Sequence, residues 1–361
     1  MKTFIIVLTV LFCISPVVPQ AKKDAKNVAP QTSPASKSNE GMIWGQTFVD
    51  YSYAAQSEDA SQKGTNAFEF RRIYLGYDQN ISDQFSARVL IEADKEDTAK
   101  SGAMDFTAEE AYLEWKNLVS LSSIYFGLSY TPSIAMAEKI WGYRSLEKVI
   151  LDRNGLVAYD DMGVAIKGKF VSDGSIGYAV MVGNGQGVKL ENDKLKKIYG
   201  ELYCTPMKNG VVELYSDYEN SPDAQWKLTG KGLLGYQVPS VSAGVEGFYR
   251  IVHDGAFNTL TPTDSNLAGG SAYTSFQITD GIRGVLREDF YDANVSETNV
   301  GIRESFSIIG LDYSPALGVH VIPNVLYTHR LYKVSPAHGP ALVDDITARL
   351  TFAYSFSARV Q

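Results

Sequence analysis

Apolar and polar residues alternate with a period of two in one short segment after another through nearly the whole chain. The segment 345–356 is the clearest case, because Ile346 and Phe352 fall on one side of it and Asp345 and Arg349 on the other. Such alternation predicts β-strands with one face against an apolar phase and the other against water. The gaps between segments are rich in Gly, Pro, Asn, Asp and Ser, which favour turns. The sequence therefore predicts an all-β fold.

Sixteen segments carry this pattern. They lie near residues 42–54, 67–78, 84–94, 106–116, 122–130, 162–171, 175–184, 197–206, 211–218, 226–236, 241–251, 270–279, 282–291, 301–312, 319–332 and 345–356. Helical periodicity competes with it only near 134–151.

The connections between these segments alternate in length. The short ones are 79–83, 117–121, 172–174, 207–210, 237–240, 280–281 and 313–318, and the long ones are 55–66, 95–105, 131–161, 185–196, 219–225, 252–269, 292–300 and 333–344. This alternation predicts a transmembrane antiparallel β-barrel with short periplasmic turns and long extracellular loops. Closure leaves no edge strand, whose unpaired backbone groups would be costly in lipid. A soluble repetitive β protein is the alternative, although its charged faces would then meet inside the fold.

The N-terminal region has a different composition. An apolar run at 4–14 follows Lys2 and is about half as long as a membrane-spanning helix. We therefore predict a cleaved signal peptide at 1–21, with an N-terminal anchor or a buried strand as the alternative. Residues 22–41 are rich in Lys, Ser, Ala and Pro, which predicts a disordered linker. The barrel is then 42–361, exported to the outer membrane of a Gram-negative cell.

Three stretches resemble the phosphate-selective porin O and P family. The stretch FEFRRIYLG at 68–76 resembles its F-x-x-R-R-x-x-L-G signature, and YFGLSYTP at 125–132 resembles its G-Q-F-x-x-P segment. The stretch DMGVAIKG at 161–168 resembles R-D-x-G-V-x-x-x-G, with Asp160 where the family often has Arg. Shorter matches follow at 182–185 and 287–292.

The resemblance spans 42–356 and implies a sixteen-stranded outer-membrane porin. It implies passive diffusion of small hydrophilic solutes or ions with an anion or phosphate bias, and it is compatible with a homotrimer. Two departures stand out. No basic ladder can be mapped residue by residue, and 357–361 follow Phe356 where such chains normally stop on an aromatic residue.

The polar faces of the segments predict the pore lining. The candidates are Arg72, Arg88, Glu92, Glu110, Glu114, Lys167, Lys169, Arg250, Arg287, Asp289, Arg303 and Arg349. The complete set of inward charges predicted from the polar faces is larger than this list and contains equal numbers of basic and acidic residues. If the sixteen segments are numbered from the N-terminus, most of the basic residues lie on segments 13–16, 2 and 3, which become neighbours when the barrel closes. Segments 4, 8 and 9 carry acidic residues. Such walls can set up a transverse field that favours small polar solutes, or the charges can simply pair and stabilise a wet lumen.

The connection 131–161 is too long and too apolar for a free surface loop, since it contains Trp141, Leu146 and Ile150. We predict that it folds into the barrel mouth and narrows the pore. Its charged residues Glu138, Lys139, Arg144, Glu147, Lys148 and Arg153 would then line the passage. An extracellular cap, or packing between protomers, is the alternative.

The sequence contains no catalytic signature. His253, His320, His329 and His338 lack metal-ligand spacing, and no nucleotide-binding or serine-hydrolase motif is present. Glu109–Glu110 and Asp160–Asp161 would point to opposite faces of an extended strand. With 33 basic against 41 acidic residues the chain is a poor candidate for binding nucleic acid. We predict a non-enzymatic porin without cofactor or metal whose partners are outer-membrane lipid and small solutes. A non-conducting structural or adhesive barrel, or an outer-membrane enzyme, is the alternative.

Overall fold

The computed structural model describes residues 40–98, 104–221, 225–256, 263–295, 301–334 and 341–360. The predicted signal peptide and nearly all of the predicted linker lie outside the described residues. Among the described residues, no helix is both long and apolar enough to cross a membrane.

Sixteen strands form the fold. They are β1 Gly41–Gln56, β2 Asn66–Asn80, β3 Phe85–Thr98, β4 Met104–Val119, β5 Ser122–Tyr130, β6 Asp160–Lys169, β7 Ile176–Gly183, β8 Lys197–Cys204, β9 Gly210–Asn220, β10 Trp226–Val238, β11 Val241–Ala256, β12 Thr263–Thr279, β13 Ile282–Asp292, β14 Ile302–Ala316, β15 Val319–Tyr332 and β16 Asp345–Val360. Each strand pairs antiparallel with the next, and β16 pairs back onto β1 from Gly41↔Val360 to Gln56↔Ile346. The predicted closed barrel of sixteen antiparallel strands is confirmed.

The strands on one rim extend further than the sequence pattern indicates. β11 continues to Ala256 and β12 begins at Thr263, so the connection expected at 252–269 shrinks to 257–262. Hydrogen bonds between paired strands satisfy backbone N–H and C=O groups in water as well as in lipid. The strands can therefore continue past the residues that alternate in polarity. Residues 357–360 after Phe356 likewise continue β16, paired with the start of β1.

Among the described strands, β-bulges interrupt the alternation of inward and outward side chains, and two of them add a residue to the inner face. In β2, Arg72 pairs with Phe48 and Phe70 with Val49, which leaves Arg71 as an extra residue. In β4, Glu110 pairs with Leu90 and Ala108 with Ile91, which leaves Glu109 as an extra residue.

The expectation that Glu109 and Glu110 face opposite sides is therefore wrong, because the bulge turns both inward and both are buried. Asp160 and Asp161 are also both buried. The pairing of β4 with β5 ends at Ala111↔Leu128. Past this end, Asp160 lies beside Glu109 and Glu110.

The two faces of the barrel differ in composition. Large apolar side chains such as Leu75, Val89, Phe126, Leu214 and Ile309 are exposed on the outer face. Buried charged side chains cover much of the inner face, in agreement with a transmembrane barrel that has a polar interior.

The connection 131–159 holds two short helices, α1 Ala135–Trp141 and α2 Ile150–Arg153. Helix α1 ends at Gly142, whose φ of 68° is the left-handed conformation that suits glycine after a helix. The Gly142 N–H donates to the carbonyl of Glu138.

Candidate functional site

The connection 131–159 packs against the inner wall of the barrel. Ile134, Leu146 and Ile150 have no exposed surface, and Trp141 is 1% exposed. They belong to one apolar cluster with wall residues Phe248, Tyr273, Phe306, Ile308 and Ile322 of β11, β12, β14 and β15. Burial of each large apolar side chain stabilises this arrangement by roughly 1.5–3 kcal/mol.

The wall formed by β2, β3 and β4 carries five of the predicted lining residues. Arg72 binds Glu92 at 2.8 Å and also contacts Asp94. Arg88 binds Asp78 at 2.5 Å and lies 3.5 Å from Glu110. Glu114 accepts hydrogen bonds from Ser86 at 2.7 Å and Tyr125 at 3.1 Å. The structure thus joins Arg72 with Glu92 and Arg88 with Glu110 in ion pairs.

Lys167 and Lys169 lie on β6, and Arg250 lies on β11. Lys167 donates to the Tyr130 carbonyl at 2.6 Å, with its ammonium 5.0 Å from the Tyr125 ring centre. Lys169 is exposed at the end of β6, next to the turn 170–175. Arg250 is buried and donates to Thr229 at 2.9 Å.

Arg287, Asp289 and Arg349 lie on the inner face next to the connection. Arg287 donates to both carboxylate oxygens of Asp289, at 2.8 and 2.6 Å. Arg349 donates to Asn324 at 3.1 Å and lies 3.7 Å from Asp50.

Arg303 is on the outer face of β14, so its prediction as a lining residue is wrong. It pairs with Asp292 at 3.1 Å, and its side chain is 49% exposed. This contact lies near the rim of the barrel that carries the long connections, which we call the loop rim; the opposite rim, with the short connections, is the turn rim. The inner positions of β14 are taken by Glu304, Phe306 and Ile308. Phe306 and Ile308 make the middle of this inner face apolar, and there it packs against the connection. An apolar residue of β14 therefore does not mark the lipid-facing side.

The charged residues of the connection pair mostly with each other or with the wall. Arg144 donates to Glu138 and Asp152, both at 2.8 Å, and to the Tyr74 hydroxyl at 3.1 Å. Burial raises the pKa of Glu138, and the Arg144 guanidinium opposes that shift.

Arg153 reaches the wall, where it binds Glu304 at 3.0 Å and stacks over the Phe306 ring. Lys139 is exposed, whereas Lys148 is half-buried and its carbonyl accepts from Arg287.

Glu147 lies in a strongly basic environment. Burial acts to raise the pKa of its carboxyl group. The hydrogen bond from the Lys148 N–H and the charges of Arg71, Arg349 and Arg287 outweigh burial and hold that pKa below its usual value. Glu147 is therefore ionised at neutral pH.

A cavity of about 490 Å³ lies between the connection and the wall formed by β1–β3, β15 and β16. Its lining includes the charged residues Asp50, Glu69, Arg71, Arg72, Asp94, Arg144, Glu147, Lys148 and Arg349 and the polar residues Ser52, Gln62, Thr65, Asn66 and Thr347. Both positive and negative groups line it, and it reaches the connection 57–65 at the rim that carries the long connections.

Several residues of this site were not among the sequence candidates. Arg71 and Glu109 face inward only because of the bulges, and period-two counting contains no signal for an extra residue. Lys231 is buried beneath the connection, where it binds Glu213 at 3.2 Å and donates to the Ser133 carbonyl at 2.7 Å. Within the described ranges, no group of three or more His, Cys, Asp or Glu side chains is arranged to hold a metal ion.

Comparisons with known proteins identify the fold. No protein-family model matches the chain, and no curated protein sequence matches it. The solved outer-membrane channel DcaP of Acinetobacter baumannii matches with a TM-score of 0.64 and 12% identity, over 89% of this chain and 99% of that one. The anion-selective porin from Comamonas acidovorans matches with a TM-score of 0.62 and 10% identity, over 88% of this chain and 100% of that one.

The trimer form of OmpT, an outer-membrane protein of Vibrio cholerae, matches with a TM-score of 0.56 and 12% identity, over 88% and 100% of the two chains. At these identities the likeness establishes a shared barrel fold. Membership of the phosphate-selective porin O and P family stays a prediction.

Proposed function

We propose that this protein is a porin of the Gram-negative outer membrane through which small hydrophilic solutes and ions diffuse passively. The observation that carries the proposal is the charged cavity of about 490 Å³ between the connection 131–159 and the inner wall. In this arrangement the turn rim faces the periplasm and the loop rim faces the medium. The short–long alternation of connections supports that orientation.

The connection confines the solute path to one side of the barrel. Its apolar cluster fills the space next to β11, β12, β14 and β15, where the inner wall is buried. The charged cavity lies against β1–β3, β15 and β16, so solutes pass there. The lining charges hold water and disfavour apolar solutes.

We expect weak ion selectivity. Anion binding requires cations with free donors, but Arg72 is bound to Glu92 and Asp94, and Arg71 to Asp50. The lining also contains carboxylates beside each of these arginines. The contacts therefore favour a mixed-charge channel over a phosphate-selective one.

Planar-bilayer recording tests the proposal with a matched pair of variants. Thr347 lines the cavity, while its neighbour Ala348 is exposed on the outer face. Purified protein should give ohmic conductance steps, which Thr347→Trp reduces and Ala348→Trp leaves unchanged. Absence of steps from folded protein would favour the structural or adhesive alternative. Equal effects of the two variants would place the path elsewhere, and saturation of the current by millimolar phosphate would favour the phosphate-selective alternative.

We further propose that the barrels assemble as homotrimers through the outer face of β9–β15. A groove of about 860 Å³ lies there, and its wall includes the exposed side chains of Leu234, Val245, Leu286 and Ile309. Glu288 also lines it, and its carboxylate accepts a hydrogen bond from the Ser307 hydroxyl. A carboxylate on a lipid-facing surface is destabilising, so a protein interface suits it better.

A substitution that fills the groove tests this assembly. Ala243→Trp should convert the oligomer in mild detergent to monomer, as measured by light scattering. Ala111→Trp, on the outer face of β4, is the control and should leave the mass unchanged. A monomeric unsubstituted protein would refute the trimer and leave the channel proposal intact.

A further inference from the structure

Four consecutive backbone carbonyls of the connection, those of residues 145–148, all accept hydrogen bonds from side chains. Arg71 donates to the Ser145 carbonyl and, at 3.1 Å, to that of Leu146. Arg349 donates to the same Leu146 carbonyl at 2.6 Å. We refer to residues 145–148 as the carbonyl turn.

The other two carbonyls of the turn are bound in the same way. Trp141, from helix α1, donates its indole N–H to the Glu147 carbonyl at 2.8 Å. Arg287 donates to the Lys148 carbonyl at 2.6 Å. Three arginines from three separate strands, β2, β13 and β16, therefore meet one short stretch of backbone.

Each of these arginines is oriented by a wall residue behind it. Arg71 is bound to Asp50 at 2.6 Å, Arg287 to Asp289 at 2.6 Å, and Arg349 to Asn324 at 3.1 Å. The side-chain exposure is 12% for Arg71, 0% for Arg287 and 6% for Arg349. Their donors are used by the wall and the turn, so little of each guanidinium remains for a passing solute.

The carboxylate of Glu147 adds an electrostatic attraction to the same three arginines. A guanidinium has five donors in a planar fork and can bridge a carboxylate and a carbonyl at once, whereas a lysine ammonium is a point charge on a flexible stem. The contacts therefore depend on arginine geometry as well as on positive charge.

We propose that Arg71, Arg287 and Arg349 are positioning residues that fix the carbonyl turn and thereby set the width of the channel. The inference rests on the proposed porin function, because its consequence is a constant pore width. It assigns these arginines a different role from an anion-binding ladder, in which their charge alone would matter.

Charge-retaining substitutions separate the two roles. Arg71→Lys, Arg349→Lys and Arg287→Lys keep the charge and lose the multiple contacts. Arg303→Lys is the matched control, since Arg303 is also ion-paired, to Asp292, but lies on the outer face of the barrel. We expect open-channel noise to rise roughly twofold and mean conductance to rise in the three variants but not in Arg303→Lys. The reversal potential should stay unchanged in all four.

The double variant Arg71→Lys/Arg349→Lys should exceed the sum of the single effects, because both arginines bind the Leu146 carbonyl. Lysine variants that match Arg303→Lys in noise and conductance would overturn the proposal, and so would a shift in reversal potential without added noise.

A second measurement does not depend on conductance. Ser145→Cys in purified full-length protein is treated with a small methanethiosulfonate reagent, and modification of residue 145 is followed by mass spectrometry. We expect roughly tenfold faster modification when Arg71→Lys/Arg349→Lys is added, because the turn opens more often. Equal rates would overturn the proposal. A rate difference in a barrel that conducts no current would refute the porin function while supporting the role of the arginines.

Discussion

The guanidinium of Arg71 lies 2.6 Å from the carboxylate of Asp50, and the same Asp50 oxygen is 3.7 Å from Arg349. One carboxylate on β1 thus joins β2 to β16, across the closure of the barrel. The contact exists because the bulge opposite Phe48 and Val49 turns Arg71 inward beside Arg72.

Removal of this carboxylate tests its role. Asp50→Asn leaves Arg71 and Arg349 without their shared counter-charge, and loss of one partner of a buried pair costs about 3–5 kcal/mol. We expect a lower midpoint of urea unfolding, followed by tryptophan fluorescence, and a reversal potential shifted toward anions. The control is Asp173→Asn on the exposed turn 170–175, which should change neither quantity. An unchanged reversal potential in Asp50→Asn would indicate that the cavity is not on the conducting path.

The connection 131–159 is predicted to control pore width. Its replacement by a few residues between Pro132 and Asp160 should leave the strand signal in circular dichroism unchanged and raise single-channel conductance, because the apolar cluster then leaves the lumen. Trp141→Ala is the milder variant. It removes a side chain that is 1% exposed and should destabilise the cluster by about 3–5 kcal/mol. Normal folding with unchanged conductance in the shortened protein would mean that the connection lies outside the solute path.

Most of the fold follows from the period-two pattern, because each strand must present one face to lipid and one to water. The bulges at Arg71 and Glu109 cannot be read from that pattern, since an extra residue changes pairing without changing composition. Arg303 illustrates a second limit. Phe306 and Ile308 look lipid-facing in sequence, yet they pack inward against the connection and thereby turn Arg303 outward. Nothing in the sequence of β14 itself specifies this inner apolar surface.

The orientation of the barrel can be tested by labelling intact cells. Lys189 lies in the connection 184–196 at the loop rim, and Lys208 in the turn 205–209 at the opposite rim, and both side chains are exposed. In a Cys204→Ser background, a membrane-impermeant maleimide should modify Lys189→Cys and spare Lys208→Cys. Permeabilised cells should allow both reactions. Modification of Lys208→Cys alone in intact cells would reverse the proposed orientation.

Acidification should loosen the carbonyl turn through Glu147. The pKa of this carboxyl group in the folded protein lies below its ordinary value of 4.5, because the Lys148 N–H and three arginines outweigh the effect of burial. Ionised Glu147 therefore stabilises the turn above pH 4.5, and this contribution is lost as the pH falls through the lower folded-state pKa. We expect single-channel conductance and noise to rise below pH 4.5.

Glu147→Gln should show raised noise already at pH 7 and a smaller change on acidification. Glu191→Gln, in the exposed connection 184–196, should keep the original pH response. An identical acid response in Glu147→Gln and the unsubstituted protein would assign the transition to other carboxyl groups of the wall.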